Sequence, residues 1–401
     1  MYDLMVVGGG PAGSTCAREA ARKGLDVVLI EKEEVPRDKL CGGALSPRII
    51  NTLDFDISSV VQHDMHCAIV YAPSGRKIVI VRDDAKGFLV KRDEFDTLLL
   101  DKARDAGVEV VDGTEIKSVE QIRKGIRILS HGDSFKGHLL VGADGVNSVV
   151  ARSLGMRTKW PPERVALCIA ADIPLPPDEI QRILAPDESQ GNLAIEMYPW
   201  AIEYGYGWCF PKRDEISLGI GYKMKHQISN LRDAWKGFVR RFEEEKDIKL
   251  DIPKHSAHRV PLARFDKRLT TRRTMLIGDA AGLVSPITGE GIYYAIRSGI
   301  IAGQVAFEAV QDKNPLHVAL YDHRLKHEMK TEFNAANFVS NLAYKSREKV
   351  ELVCELAEND PILQDYMIDL ALGARSINKI RFDITKRMLR HYPLKSLRLL
   401  R

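Results

Sequence analysis

The 401-residue sequence predicts an α/β protein in which a parallel sheet with helical crossovers is interrupted by an antiparallel β-rich insert and followed by a helical tail. Three observations carry that expectation. An apolar strand from Leu4 to Val7 runs into a glycine-rich turn and then a helix. Apolar strands go on alternating with helices to about residue 310. Residues 160–260 differ: four prolines (161, 162, 174, 176) precede a run of strands.

The first turn is Gly8-Gly9-Gly10-Pro11-Ala12-Gly13. Gly8, Gly10 and Gly13 fall on the G-x-G-x-x-G spacing: the first permits a tight turn, the second a close backbone approach to a pyrophosphate, the third close helix–strand packing. The helix that follows, Ser14 to Lys23, turns its free N–H groups toward the phosphates across Pro11 and Ala12. A second strand, Asp26 to Ile30, ends at Glu31-Lys32, with Glu31 eighteen residues after Gly13. An acid there accepts hydrogen bonds from an adenosine ribose and argues against a 2′-phosphate. This is Rossmann-like dinucleotide binding.

The chain next enters a polar segment, residues 33–44, ending in Cys41-Gly42-Gly43; a loop this long after a strand is often functional. A short helix begins over Ile49 to Leu53. Ala68 to Tyr71 and Lys77 to Val81 form a hairpin about Pro73-Ser74-Gly75. Arg92 to Ala106 reads as a helix stopped by Gly107. Val108 to Asp112, Thr114 to Gln121 and Gly125 to Ser130 read as strands. The apolar run 139–142 is a further strand that turns at Asp144-Gly145, with a helix from about Ser148. In the insert, Leu193 to Met197, Tyr204 to Phe210 and Glu215 to Tyr222 are strands and Leu231 to Glu245 a helix. Met275 to Asp279 returns to a buried strand, followed by a long helix from about Gly289 to Val310. The expected organisation is a discontinuous dinucleotide domain (1–62, 86–158, 262–312), a substrate domain (63–85, 159–261) and a helical region (313–401).

Composition excludes several function classes. The net charge of +4 offers no global case for nucleic acid. Six cysteines without a C-x-x-C pair argue against a metal site, an iron–sulfur cluster or a disulfide framework. No apolar run approaches the length of a membrane span, and the start of the chain lacks a basic leader, so a cytoplasmic location is expected. Charge is unevenly spread: residues 375–401 hold nine Lys/Arg against the single acid Asp383.

Further residues agree with the first turn. In Gly278-Asp279-Ala280-Ala281-Gly282 an acid follows a strand end, placed for a ribityl hydroxyl, and the helix start near Gly289, Gly291 and Ile292 faces a pyrimidine carbonyl. Arg92, at a helix start where the dipole disfavours a cation, needs an anionic partner such as phosphate. Together these residues resemble the FAD enzymes of the p-hydroxybenzoate hydroxylase fold over residues 1 to about 310. The resemblance implies adenosine binding at Glu31 and flavin side-chain binding at Asp279.

Two further features narrow this. Lys39-Leu40-Cys41-Gly42-Gly43 and Tyr206-Gly207-Trp208-Cys209-Phe210-Pro211 resemble the Cys-Gly-Gly loop and the Y-x-W-x-F-P strand of the geranylgeranyl reductase family, and residues 286–292 resemble its flavin-side loop. The resemblance implies an FAD-dependent reductase that hydrogenates isoprenoid C=C bonds in geranylgeranyl chains of archaeal-type membrane lipids. Tyr206, Trp208 and Phe210 share one face of a strand. They are expected, with Pro211, to line a long apolar channel, the natural receptor for a chain that offers only C–H surface, at about 0.8 kcal/mol per buried CH₂. Cys41, near the flavin by the resemblance, is expected to position the alkene or supply a proton. The alternatives are a monooxygenase of the same fold and a membrane-associated electron-transfer flavoprotein. With only one dinucleotide fingerprint, NADPH, ferredoxin and a deazaflavin are all compatible as electron donors. The basic tail is expected to make peripheral contact with anionic lipid at the inner face of the cell membrane.

Overall fold

The computed structural model describes residues 1–400 apart from 85, 86, 229, 253, 266, 344, 345 and 372. Arg401, the last of the nine basic tail residues, and the expected boundary at 85/86 therefore lie outside the described residues.

The first sheet runs Glu109–Val111, Val27–Ile30, Tyr2–Val7, Ser134–Gly142, Gly125–Leu129, Ser118–Ile122. Its first four strands are parallel, and Thr274–Leu276 joins the far half of Ser134–Gly142, also parallel. Strands covered on both faces are apolar throughout rather than alternating, and Leu4, Met5, Val6, Leu139, Leu140 and Val141 are all buried. The crossover helix Pro11–Arg22 packs on this sheet and against the long helix Ile292–Gln311. Close approach between the two needs Gly299, where a Cβ would stand 2.5 Å from the Ala12 carbonyl oxygen.

The second sheet is the insert, with order Ser256–Pro261, Val165–Pro174, Glu215–Lys223, Gly205–Pro211, Ala194–Pro199, Cys67–Tyr71, Lys77–Val81. It is antiparallel except where Ala194–Pro199 meets Cys67–Tyr71. A small third sheet joins Ala44–Leu45, Phe88–Val90 and Val61–Asp64. Several sequence expectations need correction. The third helix and first hairpin stand, but Thr114 to Lys117 is not strand, and the helix near residue 49 is Pro47–Ile50. The ten-residue strand Val165–Pro174 and the edge strand Ser256–Pro261 were not foreseen. The first is apolar on both faces from Val165 to Ala171, and the second is polar, so neither shows simple apolar alternation.

Residues after 313 are almost entirely helical. They share the cores of both sheets: Tyr321, Leu325, Met329 and Phe333 join the first, while Val350, Leu352, Leu356, Ile368 and Met388 pack with Ile78, Ile80 and Ile195 beneath the second. Among the described residues, no helix is long and apolar enough to cross a membrane.

Candidate active site

Two cavities meet between the sheets. The larger, about 520 Å³, is the dinucleotide groove. Its turn closes as the spacing predicts: Gly8 has φ +107°, and a Cβ on Gly13 would lie 1.8 Å from the Gly8 carbonyl oxygen. Gly10 is open, its nearest neighbour the Arg37 guanidinium at 3.7 Å, which leaves room for a pyrophosphate. Pro11 and Ala12 line the groove with Gly8 and Gly10, whereas Gly13 packs behind it. Glu31 accepts from the Gly9 N–H (2.6 Å) and the Glu33 N–H (3.2 Å). Lys32 also lines the groove and pairs with Glu33 at 2.7 Å.

Arg92 corrects the sequence reading in part. It lines the groove, but its anion is internal: Nε and Nη2 each donate to Asp96, one helical turn on, at 2.8 Å. Burial opposes the guanidinium charge, yet Asp96, helped by the Cys41 thiol, holds its pKa above the ordinary value. Asp144 has two roles. Its Oδ2 accepts from Val149 and Val150 N–H (2.6 and 3.0 Å), capping the helix Val149–Ser153, while Oδ1 is buried with no hydrogen-bond partner. Burial pushes this carboxyl's pKa up. Gly145 and Asp279 complete the wall, and the long helix Ile292–Gln311 opens into it without a side-chain cap. An open glycine cradle, a ribose-placed acid, an orphaned buried oxygen and a free helix N-terminus fit FAD.

The second cavity, about 210 Å³, is predominantly apolar. It lies on one face of the insert sheet, where residues paired across strands share a face. One row is His258–Cys168–Gly221–Tyr206 and the next Ala170–Gly219–Trp208–Met197. Small residues thus make the floor, and Tyr206, Trp208 and Phe210 the wall. Tyr206 donates its hydroxyl to the Thr288 carbonyl (2.9 Å), tying the wall to the loop before the long helix. A Cβ on Gly42 would lie 2.5 Å from the Phe210 ring, so the Cys-Gly-Gly loop seats directly on the aromatic strand. Gly43 lines this cavity too. Pro211 does not line either cavity; it closes the strand opposite Ile216, where its missing N–H suits the end of the ladder. The expected long channel is a compact pocket, below the roughly 300–1,000 Å³ of most ligand sites. Met65 and Met197 stand in its wall, flexible side chains able to repack around a longer guest.

Leu40, Cys41, His258, Val260, Gly289, Gly291 and Ile292 line both cavities and mark where they join. Cys41 Sγ accepts from the Gly43 N–H at 3.5 Å. Among the titratable groups of the apolar wall, the sequence reading missed His258, Lys223 and Glu290. Burial, with Lys225 nearby, lowers the Lys223 pKa to about 8. Glu290 pairs with Arg48 at 2.8 Å, and burial raises its pKa. A usable signal for His258 was the alternation of Ser256, His258 and Val260 with exposed Ala257 and Arg259.

Comparison with known proteins places this geometry. A family model described as "FAD binding domain" matches residues 1–305. The chain is 31% identical over 81% of its length, and 83% of the relative's, to a digeranylgeranylglycerophospholipid reductase of Methanocella arvoryzae. It is 29% identical to a geranylgeranyl diphosphate reductase of Rhodobacter capsulatus, over 99% of this chain and 95% of that one. A crystal structure of a geranylgeranyl bacteriochlorophyll reductase-like protein from Thermoplasma acidophilum superposes with a TM-score of 0.83 at 26% identity, covering 99% of this chain and 98% of that one. Motifs, cavities and relatives agree: the chain belongs to the geranylgeranyl reductase family of FAD-binding proteins, on the p-hydroxybenzoate hydroxylase fold.

Proposed function

We propose that this protein is an FAD-dependent reductase that hydrogenates isoprenoid C=C bonds of geranylgeranyl chains in ether-type membrane lipids. The observation that carries this reading is the junction itself: an apolar, aromatic-walled pocket opens onto a dinucleotide groove at Cys41, His258 and Ile292. Reduced FAD, when bound, supplies the hydride. The chain's own residues do the rest. Gly8, Gly10, Glu31, Asp144, Asp279 and the N-terminus of Ile292–Gln311 hold the cofactor. Tyr206, Trp208 and Phe210 press the substrate chain against the floor of Ala166, Cys168 and Ala170, excluding water from the reacting carbons. Cys41, whose Sγ accepts from the Gly43 N–H, positions the double bond.

Anaerobic incubation of dithionite-reduced protein with unsaturated ether lipid, followed by mass spectrometry, should show a gain of two hydrogens per bond. Unchanged lipid would refute the reading. With the bond reduced, Cys41→Ala should slow turnover about tenfold or more, the low end of what misplacing a reacting group costs.

Peripheral membrane contact belongs to the same reading. Phe382, Leu389 and Leu394 are 69%, 61% and 78% exposed, beside exposed Lys379, Arg381, Lys386 and Arg390. Apolar residues among cations suit an anionic lipid surface. Three other basic residues of the tail are already paired inward, Arg375 to Asp369, Arg387 to Asp360 and Lys395 to Glu355. The double variant Phe382→Ser/Leu389→Ser should sediment less with anionic liposomes while retaining FAD. Equal sedimentation would remove the tail as the contact.

A further inference from the structure

Hydride addition to an isolated double bond leaves a second carbon that needs a proton. The junction of the two cavities contains one unusual polar contact: Lys39 Nζ stands 2.9 Å from His258 Nε2. Lys39 lines the dinucleotide groove, and the His258 ring lines both cavities. Among the described residues, no carboxylate lies within ion-pairing distance of Lys39. An ammonium has only N–H donors, so Nε2 must be the acceptor, and the neutral ring then carries its proton on Nδ1.

We propose that Lys39 and His258 form the proton relay of the reduction, with His258 touching the substrate and Lys39 recharging it. The relay rests on the reductase reading above. As hydride arrives at one alkene carbon, the Nδ1–H bond breaks and a C–H bond forms at the other. The Lys39 N–H bond breaks in the same event and an Nε2–H bond forms. The imidazole ends neutral in its other tautomer, and Lys39 ends as a neutral amine that recovers its proton from solvent. The electron pair comes wholly from the hydride, so the step balances without a further reductant.

The electrostatics suit these roles. Burial lowers the Lys39 pKa, with Arg92 and Arg37 adding to that and Asp279 and Cys41 opposing it; a lowered pKa makes the ammonium a better acid near neutral pH. Burial first and Lys39 second bring His258 down to about 4, with Arg92 and Arg259 adding and Asp279 opposing, so the ring stays neutral. The location is also economical. Gly42, three residues from Lys39, seats the same loop on the Phe210 ring, and His258 shares its cross-sheet row with Tyr206.

The test uses the FAD-loaded wild type, His258→Gln, Lys39→Met and Lys39→Arg, with FAD content measured for each. In a wild type that saturates the lipid, His258→Gln should lose about 100-fold in kcat, the low end for a general acid. Lys39→Met should lose the alkaline limb of the pH profile, where activity falls as Lys39 deprotonates, and Lys39→Arg should restore part of the rate. A second readout needs neither turnover nor cofactor: ¹⁵N NMR of the FAD-free chain should show His258 protonated on Nδ1 and titrating well below the ordinary histidine range, and Lys39→Met should raise that value. Wild-type kcat in both His258→Gln and Lys39→Met overturns the relay while leaving the reductase reading intact. An Nε2–H tautomer in the wild type overturns it as well. A wild type that leaves lipid unchanged, with the NMR signature present, refutes the reductase reading instead.

Discussion

The two cavities are built by opposite means. The dinucleotide groove consists of turns and strand ends, each a short local element bringing its own glycine or acid: Gly8 to Gly13, Glu31, Asp144, Asp279. The apolar pocket is one face of a sheet whose rows cross strands from distant segments, as His258, Cys168, Gly221 and Tyr206 do. A site built from local turns should fail all at once when a single turn is blocked. A site built from a sheet face should change its shape and selectivity while the protein stays folded and loaded.

Gly13→Val is the harshest way to press that contrast. Its Cβ would meet the Gly8 carbonyl oxygen at 1.8 Å, and neither backbone can yield without opening the turn. FAD retention, read by absorbance after gel filtration, should be lost altogether. A protein that emerges fully loaded would show that the groove does not depend on this packing.

Ala170→Leu acts on the other cavity. Ala170 is buried and lines the pocket floor beside Gly219 and Trp208, so three added carbons occupy substrate volume. FAD content should be unchanged. The KM for long-chain lipid should rise about tenfold, the equivalent of losing roughly two buried CH₂ contacts. A simultaneous loss of FAD would mean that the two cavities are not separable.

The smallest effect concerns stability at the junction. His258 has a folded-state pKa near 4 against an ordinary 6.5. A depressed value means the unfolded chain binds more protons between those limits. The contribution is therefore fully present above about pH 6.5 and lost as pH falls toward 4. Allowing for partial exposure, it is of order 1 kcal/mol. His258→Gln should flatten the acid-side fall of the melting temperature in that window. An unchanged slope would place His258 in a more solvated setting.

Legibility followed the same division. Glu31 was legible as a groove residue because an acid is expected at a set distance from the glycines, and the Y-x-W-x-F-P strand through its resemblance to the family motif, period two placing its three aromatics on one face. Arg92 was found for a reason the structure changes: its cation answers Asp96, a partner that helical spacing alone could have suggested. Pro211 is expected at the substrate as the last residue of the Y-x-W-x-F-P motif, but it stands at the end of a ladder opposite Ile216 and lines neither cavity. The strand Val165–Pro174, which supplies the small floor, was not legible because apolar residues on both faces from Val165 to Ala171 erase alternation.

The sequence by itself determined the parallel sheet, the dinucleotide turn and the shared face of Tyr206, Trp208 and Phe210, because each arises from short-range spacing: turn geometry, strand period, helix start; FAD and the substrate wall followed from the family resemblance. Only the tertiary structure decided that His258 meets Lys39 across 219 residues, that the pocket is compact and floored by alanine, cysteine and glycine, and that the basic tail is packed beneath the insert sheet. Those outcomes depend on strand register and on which helix covers which face. They are set by the whole core at once, and no local pattern encodes them.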